Sequence, residues 1–405
     1  MARNIVVIGG GPAAVFAAIE AKKRDASAAV TLVTEEASEP YEKPPLSKAV
    51  LLDKVRPEDA PIAGPGGLAK HGVMLKTNAR CTEIDRAARA VVTGGERLPY
   101  DALVLATGSR MRELALLPPG MPRVHYLRTD EQARMLKADL TRCKQLAVIG
   151  AGLIGLEVAA SAAELGIQVT VIEFAPRIMG RACDEDTAAA ILAEHQRRGV
   201  EVEVSTAVTQ VTPQLDGSIA LETNTGDIFA ADIVVVGVGV LPDTALAETA
   251  GLRALDGIVV DAQCRTSDPN IFAAGDCTKF AGPHGLVRLE NWRHAQDHGA
   301  VAGRNAAGAS DTYNAPPSFW SEQYDLYIQG VGWPDPTAER IRRPLAGKSI
   351  LLLERKEGVL CHALGINAQR DLAAVRRLIE RKIPIDPGAL ADPAQPFANM
   401  LKARA

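Results

Sequence analysis

One pattern occurs twice in this chain and constrains its fold more than any other feature. A short apolar run meets a glycine turn, then an amphipathic stretch, then a second apolar run closed by an acid. The first copy opens with Asn4-Ile-Val-Val-Ile-Gly-Gly-Gly-Pro-Ala-Ala14 and closes with Val30-Thr-Leu-Val-Thr-Glu35. The second opens with Gln145-Leu-Ala-Val-Ile-Gly-Ala-Gly-Leu-Ile-Gly155 and closes with Gln168-Val-Thr-Val-Ile-Glu173. Parallel strands need a crossover, and a helix of this length supplies one. Two such units predict an α/β fold with two Rossmann-like, doubly wound nucleotide-binding domains.

The chain has 405 residues. At roughly 100–200 residues per domain that allows two to four domains. Hydrophobic residues make up 47% of it and aromatics only 4%, a mixture suited to close-packed α/β layers. Net charge is −4, and no like-charge run marks a nucleic-acid arm. The apolar run 5–8 is too short for a signal peptide or a bilayer span, so a soluble cytoplasmic chain without a membrane partner is expected. None of the six cysteines forms a C-x-x-C pair, and none of the seven histidines forms H-E-x-x-H. His294 and His298 are four apart but lack an acidic third ligand, so no metal is expected.

Other segments complete the outline. A small antiparallel region is expected between Val73 and Leu98, and alternating strands between Val200 and Ile233 around an Asp216-Gly217 turn. Buried strands follow at 233–236 and 271–274. Near the C-terminus, 350–354 and 359–364 read as a strand pair and 371–382 as a helix stopped by Pro384. Phe319, Trp320, Tyr324, Tyr327 and Trp333 cluster there. The expected division is one nucleotide domain from 1–110 and 236–312, a second from 111–235, and a C-terminal α+β domain from 313–405.

The glycine turns carry chemistry. In Gly9-x-Gly11-x-x-Ala14 the first glycine allows the tight turn and the second lets a pyrophosphate approach the backbone. Ala14 keeps the helix close to the strand, and the helix start at Pro12 and Ala13 favours phosphate. Glu35, with Glu36 as second choice, is placed to accept hydrogen bonds from an adenosine ribose. Gly150-x-Gly152-Leu153-Ile154-Gly155 is the complete fingerprint. Glu173 there accepts both ribose hydroxyls and repels a 2′-phosphate, which favours NADH over NADPH. Arg177 and Arg181 keep NADPH open; contact with the pyrophosphate or plain solvation are the other readings. Ala106-Thr107-Gly108 and the strand-end Gly275-Asp276 are flavin-domain signatures, Asp276 being suited to accept a ribityl hydroxyl. The cofactors expected are therefore FAD and NAD.

The order of these motifs resembles the two-dinucleotide-domain flavoprotein disulfide reductase superfamily, with its glutathione-reductase-like fold. Glu39-Pro-Tyr-Glu-Lys-Pro-Pro-Leu-Ser-Lys48 is similar to the R-P-P-L-S-K segment of class I oxygenase-coupled ferredoxin reductases, typified by putidaredoxin reductase and biphenyl-dioxygenase ferredoxin reductase. Lys43 stands where the family has Arg, which keeps the charge and loses the planar fork. Glu290-Asn-Trp292-x-x-Ala295-Gln296 and Phe319-Trp320-Ser-Glu-Gln323 also look like family segments, and the resemblance covers about residues 4–400. It implies FAD held by the first fingerprint, Glu35, Lys43, Lys48, the Cys81 backbone, Arg128, Asp276 and the region of Trp292 and Ala295. It implies NADH held by Gly152–Gly155, Glu173 and the Gly237-Val238-Gly239 turn, with Glu290 near the nicotinamide.

An ammonium at Lys48 would stabilise reduced flavin, and a Lys48–Glu157 pair could reset when nicotinamide arrives; alternatively Glu157 only favours its helix N-terminus. Trp320 either borders the flavin, shielding it or conducting electrons, or packs in a core. The segment around Lys48 lacks the C-x-x-x-x-C pair of disulfide reductases, which excludes a thiol relay. The implied activity is transfer from NADH through FAD to a [2Fe–2S] ferredoxin, bound transiently, that serves a cytochrome P450 or Rieske-type oxygenase. Arg288 and Arg293 are candidates for a basic docking face, as are Arg340, Arg342 and Arg343, for which a solvated charge run is the favoured alternative. A quinone, monodehydroascorbate or oxygen reductase shares every cofactor motif and stays open, as does the choice between monomer and homodimer. A signalling flavoprotein would favour a targeting segment and a basic surface, neither of which is evident.

Overall fold

A computed structural model describes residues 2–402; Met1 and residues 403–405 lie outside that range. The chain divides into two compact units. One draws on Met1–Lys43, Arg56–Arg110 and Val240–Pro317, the other on Pro44–Val55, Met111–Gly239 and Ser318–Ala405.

The first unit is built on a five-stranded parallel sheet in the order Ile271–Ala273, Ala102–Leu105, Asn4–Ile8, Ala29–Val33, Met74–Lys76. Ile5, Val6, Val7 and Ile8 are all buried, as a central strand covered on both faces requires. The crossover helix Pro12–Arg24 buries Ala13, Ala14, Ala17, Ala18 and Ala21. These small residues let a second helix, Trp292–Ala306, lie almost backbone to backbone with it. A Cβ on Gly299 would stand 2.2 Å from the Ala13 carbonyl oxygen, and one on Gly303 2.0 Å from that of Ala17. The expected antiparallel region is a three-stranded meander, Cys81–Asp85, Ala90–Thr93 and Glu96–Pro99.

In the second unit the fingerprint strand Gln145–Ile149 is again central, in the order Glu201–Glu203, Gln168–Ile172, Gln145–Ile149, Ile233–Val236, Val124–Tyr126, all parallel. The alternating strands are the meander Val208–Pro213, Ile219–Thr223, Ile228–Ala231, turned at Gly217 with φ +86°. The C-terminal segment forms its own antiparallel sheet in the order Ser318–Gln323, Leu326–Gly332, Val359–Ile366, Ile350–Lys356, Glu339–Arg342. Helix Gln369–Arg381 lays Leu372, Val375 and Leu378 on Val331, Leu351, Leu353 and Leu360. The expected strand pair and helix are present, and three further strands join them. The first two pair across Tyr324-Asp325, with Tyr324 at φ +56°. That left-handed residue is not glycine or asparagine, so no turn signal marks the hairpin. The fold is thus α/β with two doubly wound sheets and an α+β C-terminal layer.

Candidate functional site

In the first unit, Gly9 has φ +136°, and a Cβ there would come within 2.1 Å of the Ala106 carbonyl oxygen. The two flavin-type signatures therefore press together: Ala106 donates its N–H to Ile8 O, and Thr107 Oγ1 donates to Asp243 O at 2.6 Å. Gly11 caps the helix, and a Cβ on it would meet nothing within 4 Å. Pro12 occupies the first turn, no side chain caps the helix, and no acid sits in that turn. Free N–H groups, a positive dipole end and open space beside Gly11 fit the pyrophosphate of a dinucleotide. Gly275, at φ +81°, packs so closely that a Cβ would lie 2.8 Å from Ala13 Cβ and 3.6 Å from Ala295 Cβ. Asp276, which follows, accepts a 3.4 Å hydrogen bond from Ser109 Oγ, with Gly108 (φ +71°) preceding that serine.

The acid beside the turn is Glu36, not the first choice Glu35. Glu35 is exposed and faces Arg80 at 3.8 Å. Glu36 accepts from Tyr41 Oη at 2.5 Å and Lys43 Nζ at 2.7 Å, and its Oε1 would be 3.9 Å from a Cβ on Gly10. Thr34, buried directly after the strand, receives the Glu36 N–H on Oγ1, and Glu35 between them is exposed. Trp292 opens its helix under the Asn291 cap and meets Phe16 edge-on at 6.0 Å. Burial raises the Glu42 carboxyl above its usual range, opposed by a hydrogen bond from Trp292. Glu290 is exposed and bonded to Arg288. Cys81 begins its strand half-buried, its thiol pushed up to about 11 by burial.

The second unit repeats the cradle. Gly150, at φ +102°, abuts the Gly237 carbonyl oxygen, 2.6 Å from where its Cβ would be. A Cβ on Gly155 would stand 2.0 Å from Gly150 O, whereas one on Gly152 would meet nothing. Helix Leu153–Glu164 has no side-chain cap and no acid in its first turn, where Leu153 and Ile154 lie. Glu173 accepts the N–H of Ala151 at 2.6 Å and of Ala175 at 2.7 Å, so a carboxylate already rests on the turn. Beyond Val238, Gly239 would bring a Cβ within 3.4 Å of Arg181 Nη2. Arg177 is engaged elsewhere, donating to Cys183 O and Gly180 O at 2.6 and 3.1 Å. Arg128 starts the cap of helix Asp130–Leu140, donating its N–H to Gln132 Oε1 at 2.8 Å.

Lys48 also belongs to the second unit, on the excursion Pro44–Val55. Its Nζ stands 3.3 Å from Glu157 Oε1. Glu157 is buried and sits beyond the first turn of its helix, so it does not act at the helix N-terminus. Two serines given no role in the sequence reading complete its shell: Ser47 Oγ donates at 2.5 Å and Ser321 Oγ at 2.7 Å. Trp320 precedes Ser321 and pairs with Gln329, so strand alternation sends the two side chains to opposite faces. Among the docking candidates, Arg343 is overturned: it is buried, donates to Leu390 O and Gln395 O at 2.8 Å each, and lies over Phe397. Arg340 and Arg342 face Glu354 and Asp186 at 3.5 and 2.8 Å, and Arg293 faces Asp297 at 2.9 Å. Among the described residues no group of three or more His, Cys, Asp or Glu stands ready to hold a metal. No described helix is long and apolar enough to cross a membrane.

A family model described as pyridine nucleotide-disulphide oxidoreductase matches residues 3–299, and one described as reductase C-terminal matches residues 318–401. The chain is 39% identical to the anthranilate 1,2-dioxygenase system ferredoxin–NAD(+) reductase component of Burkholderia cepacia, covering 96% of this chain and 97% of that one. It is 36% identical to rhodocoxin reductase of Rhodococcus erythropolis, covering 96% and 92%. The crystal structure of the covalent putidaredoxin reductase–putidaredoxin complex superposes with a TM-score of 0.92 at 30% identity, covering 99% of this chain and 98% of that one.

Proposed function

The chain belongs to the pyridine nucleotide-disulphide oxidoreductase family, and on that premise we propose that it is an FAD-dependent NADH:ferredoxin oxidoreductase. The acceptor is a [2Fe–2S] ferredoxin, met transiently, that supplies a cytochrome P450 or Rieske-type oxygenase. The chemistry that bound FAD supplies is acceptance of hydride from NADH and release of electrons singly. One observation carries the reading: two glycine turns, each at an uncapped helix start, each open where a pyrophosphate must approach, and each served by a neighbouring carboxylate.

On this reading Gly9–Ala14, Glu36, Lys43, Ala106–Gly108 and Asp276 hold FAD, within a domain of about 1–110 and 236–312. Gly150–Gly155, Glu173 and Gly239 hold NADH, within about 111–235, and residues 313–405 form the third domain. Glu173 disfavours a 2′-phosphate, and Arg177, tied to two backbone carbonyls, does not compensate. Lys48 keeps an ammonium in a partly buried place, shared with Glu157. The absence of a paired-cysteine motif leaves electrons to depart without a disulfide step.

The test uses the purified flavoprotein under anaerobic conditions with NADH and cytochrome c. Reduction that depends on an added [2Fe–2S] ferredoxin is expected. Equal turnover with quinone, and none with any ferredoxin, would establish the small-molecule reductase instead. A polypeptide that takes up no flavin would remove both.

A further inference from the structure

The i,i+4 pair His294 and His298, set aside in the sequence as lacking a third ligand, lies inside the first unit directly behind the Gly275-Asp276 turn. The strand ladder there ends when Ala274 donates its N–H to Leu105 O at 2.9 Å. Gly275 then swings to φ +81°, which takes its own N–H off the ladder. A buried N–H without an acceptor is costly, so something must receive it. The receiver is His298 Nδ1, at 3.2 Å. Thr278 Oγ1 closes the same turn from the other side, donating to Gly275 O at 2.7 Å with His298 Nδ1 3.4 Å away.

The imidazole is held in that role by its surroundings. His298 is fully buried, its ring 4.8 Å from His294, 4.6 Å from Tyr313 and 5.3 Å from Phe280. His294 stacks on Phe280 at 5.1 Å and bonds through Nδ1 to Tyr313 Oη at 2.8 Å. A ring that accepts at Nδ1 carries its one proton on Nε2, so this geometry requires neutral imidazole. The helix bearing both rings cannot drift, because Gly299 and Gly303 lock it against the fingerprint helix.

We propose that His298 is a positioning residue for FAD: by accepting the Gly275 N–H it fixes the turn from which Asp276 presents its carboxylate to the cofactor. This rests on the proposed placement of FAD in the first unit. The ring acts on cofactor retention through Asp276 and makes no contact of its own with the reacting atoms. The groups facing the ring are His294 on the same helix, Tyr313, Thr278 and the Gly275 N–H. The neighbouring His294 and burial both oppose its protonation.

The experiment compares His298→Asn, His298→Leu and Asp276→Ala with the wild-type flavoprotein, measuring FAD dissociation by recovery of flavin fluorescence at pH 7.5. Asparagine Oδ1 reaches about where Nδ1 stands and keeps an acceptor there; leucine fills the space without one. Loss of a buried hydrogen bond corresponds to about tenfold weaker FAD binding in His298→Leu. His298→Asn, which restores an acceptor, is expected within about twofold of wild type. Wild-type FAD affinity in His298→Leu beside lost affinity in Asp276→Ala overturns the role of His298 and leaves the FAD placement standing. Retention in Asp276→Ala overturns the Asp276 assignment and this role with it. If His298→Leu does not fold, as judged by circular dichroism, His298→Asn decides: FAD binding weakened about tenfold despite the restored acceptor overturns the proposal.

Discussion

Glu173 has competing partners. Its carboxylate holds the N–H groups of Ala151 and Ala175, and a dinucleotide ribose would ask for the same oxygens. Removing the carboxylate should therefore act on binding more than on chemistry. Glu173→Ala is expected to raise the KM for NADH about tenfold, the equivalent of one charge-assisted hydrogen bond, with kcat within about twofold. The NADPH:NADH ratio of kcat/KM should rise, since the repulsion of a 2′-phosphate goes with it; steady-state kinetics with both coenzymes checks this. Glu157 is of another kind. It serves three donors, Lys48, Ser47 and Ser321, in a nearly dry place. Glu157→Ala should cost roughly 3 kcal/mol in urea unfolding, because an ammonium and two hydroxyls lose their acceptor; Glu157→Gln should cost clearly less. These residues also mark what a sequence reveals. Gly11, Gly152 and Glu173 were legible because backbone geometry alone fixes their roles. Glu36 was ranked below Glu35 because the choice turns on how Thr34 folds the chain after the strand. Ser47 and Ser321 lie in segments that stood out, yet their role did not, since their shared partner lies 110 and 164 residues away.

The helix pair Pro12–Arg24 and Trp292–Ala306 is the element on which the first cradle depends. Its closeness comes from alanines on one helix and Gly299 and Gly303 on the other. Gly303→Ala puts a methyl 2.0 Å from the Ala17 carbonyl oxygen, so the helices must part. Overpacking of this kind costs about 1–3 kcal/mol, which a thermal melt of the variant should register together with reduced FAD content. The same helix carries two buried histidines, and burial pushes His294 down to about 3 and His298 well below its ordinary value. In the unfolded chain both titrate near 6.5, so below that pH the unfolded state binds more protons. The sign is fixed: their stability contribution is complete above about 6.5 and is lost as pH falls towards the folded values, by up to about 1.4 kcal/mol per pH unit for each ring. Urea titrations at pH 7.5 and 5 should show it, and a His294→Asn, His298→Asn double variant should have the shallower slope. Helices and buried parallel strands were legible from apolar periodicity. The spacing of the two helices was not, because isolated glycines inside a helical stretch read only as weak points until their neighbour is known.

At the scale of the whole chain, each parallel sheet follows from its βαβ repeat and the rule that crossovers are right-handed, which is why the doubly wound architecture could be read in advance. What could not be read was membership: the Pro44–Val55 excursion lies between two first-unit segments and yet belongs with the second unit. No composition change marks that departure; long-range partners such as Ser161, whose Oγ donates to Ser47 O at 2.8 Å, fix it. The chain-wide distribution of thiols bears on how electrons leave. All six cysteines are free, and burial raises each one: Cys81 and Cys277 to about 11, Cys143 and Cys183 to about 12, Cys264 and Cys361 upward as well. The thiolate is the reactive form, and a thiol near 11 is ionised to roughly one part in ten thousand at pH 7. None is therefore poised as a nucleophile, and none stands in a redox pair. Iodoacetamide at pH 7 should modify the flavoprotein slowly. After prolonged treatment that alkylates the half-buried Cys81, Cys143 and Cys361, NADH-to-ferredoxin turnover should stay within about twofold per bound FAD. Mass spectrometry of the labelled sites alongside the turnover assay decides the matter. A large loss of ferredoxin reduction, with FAD content and NADH–ferricyanide activity preserved, would put a thiol on the electron path and contradict this account of it.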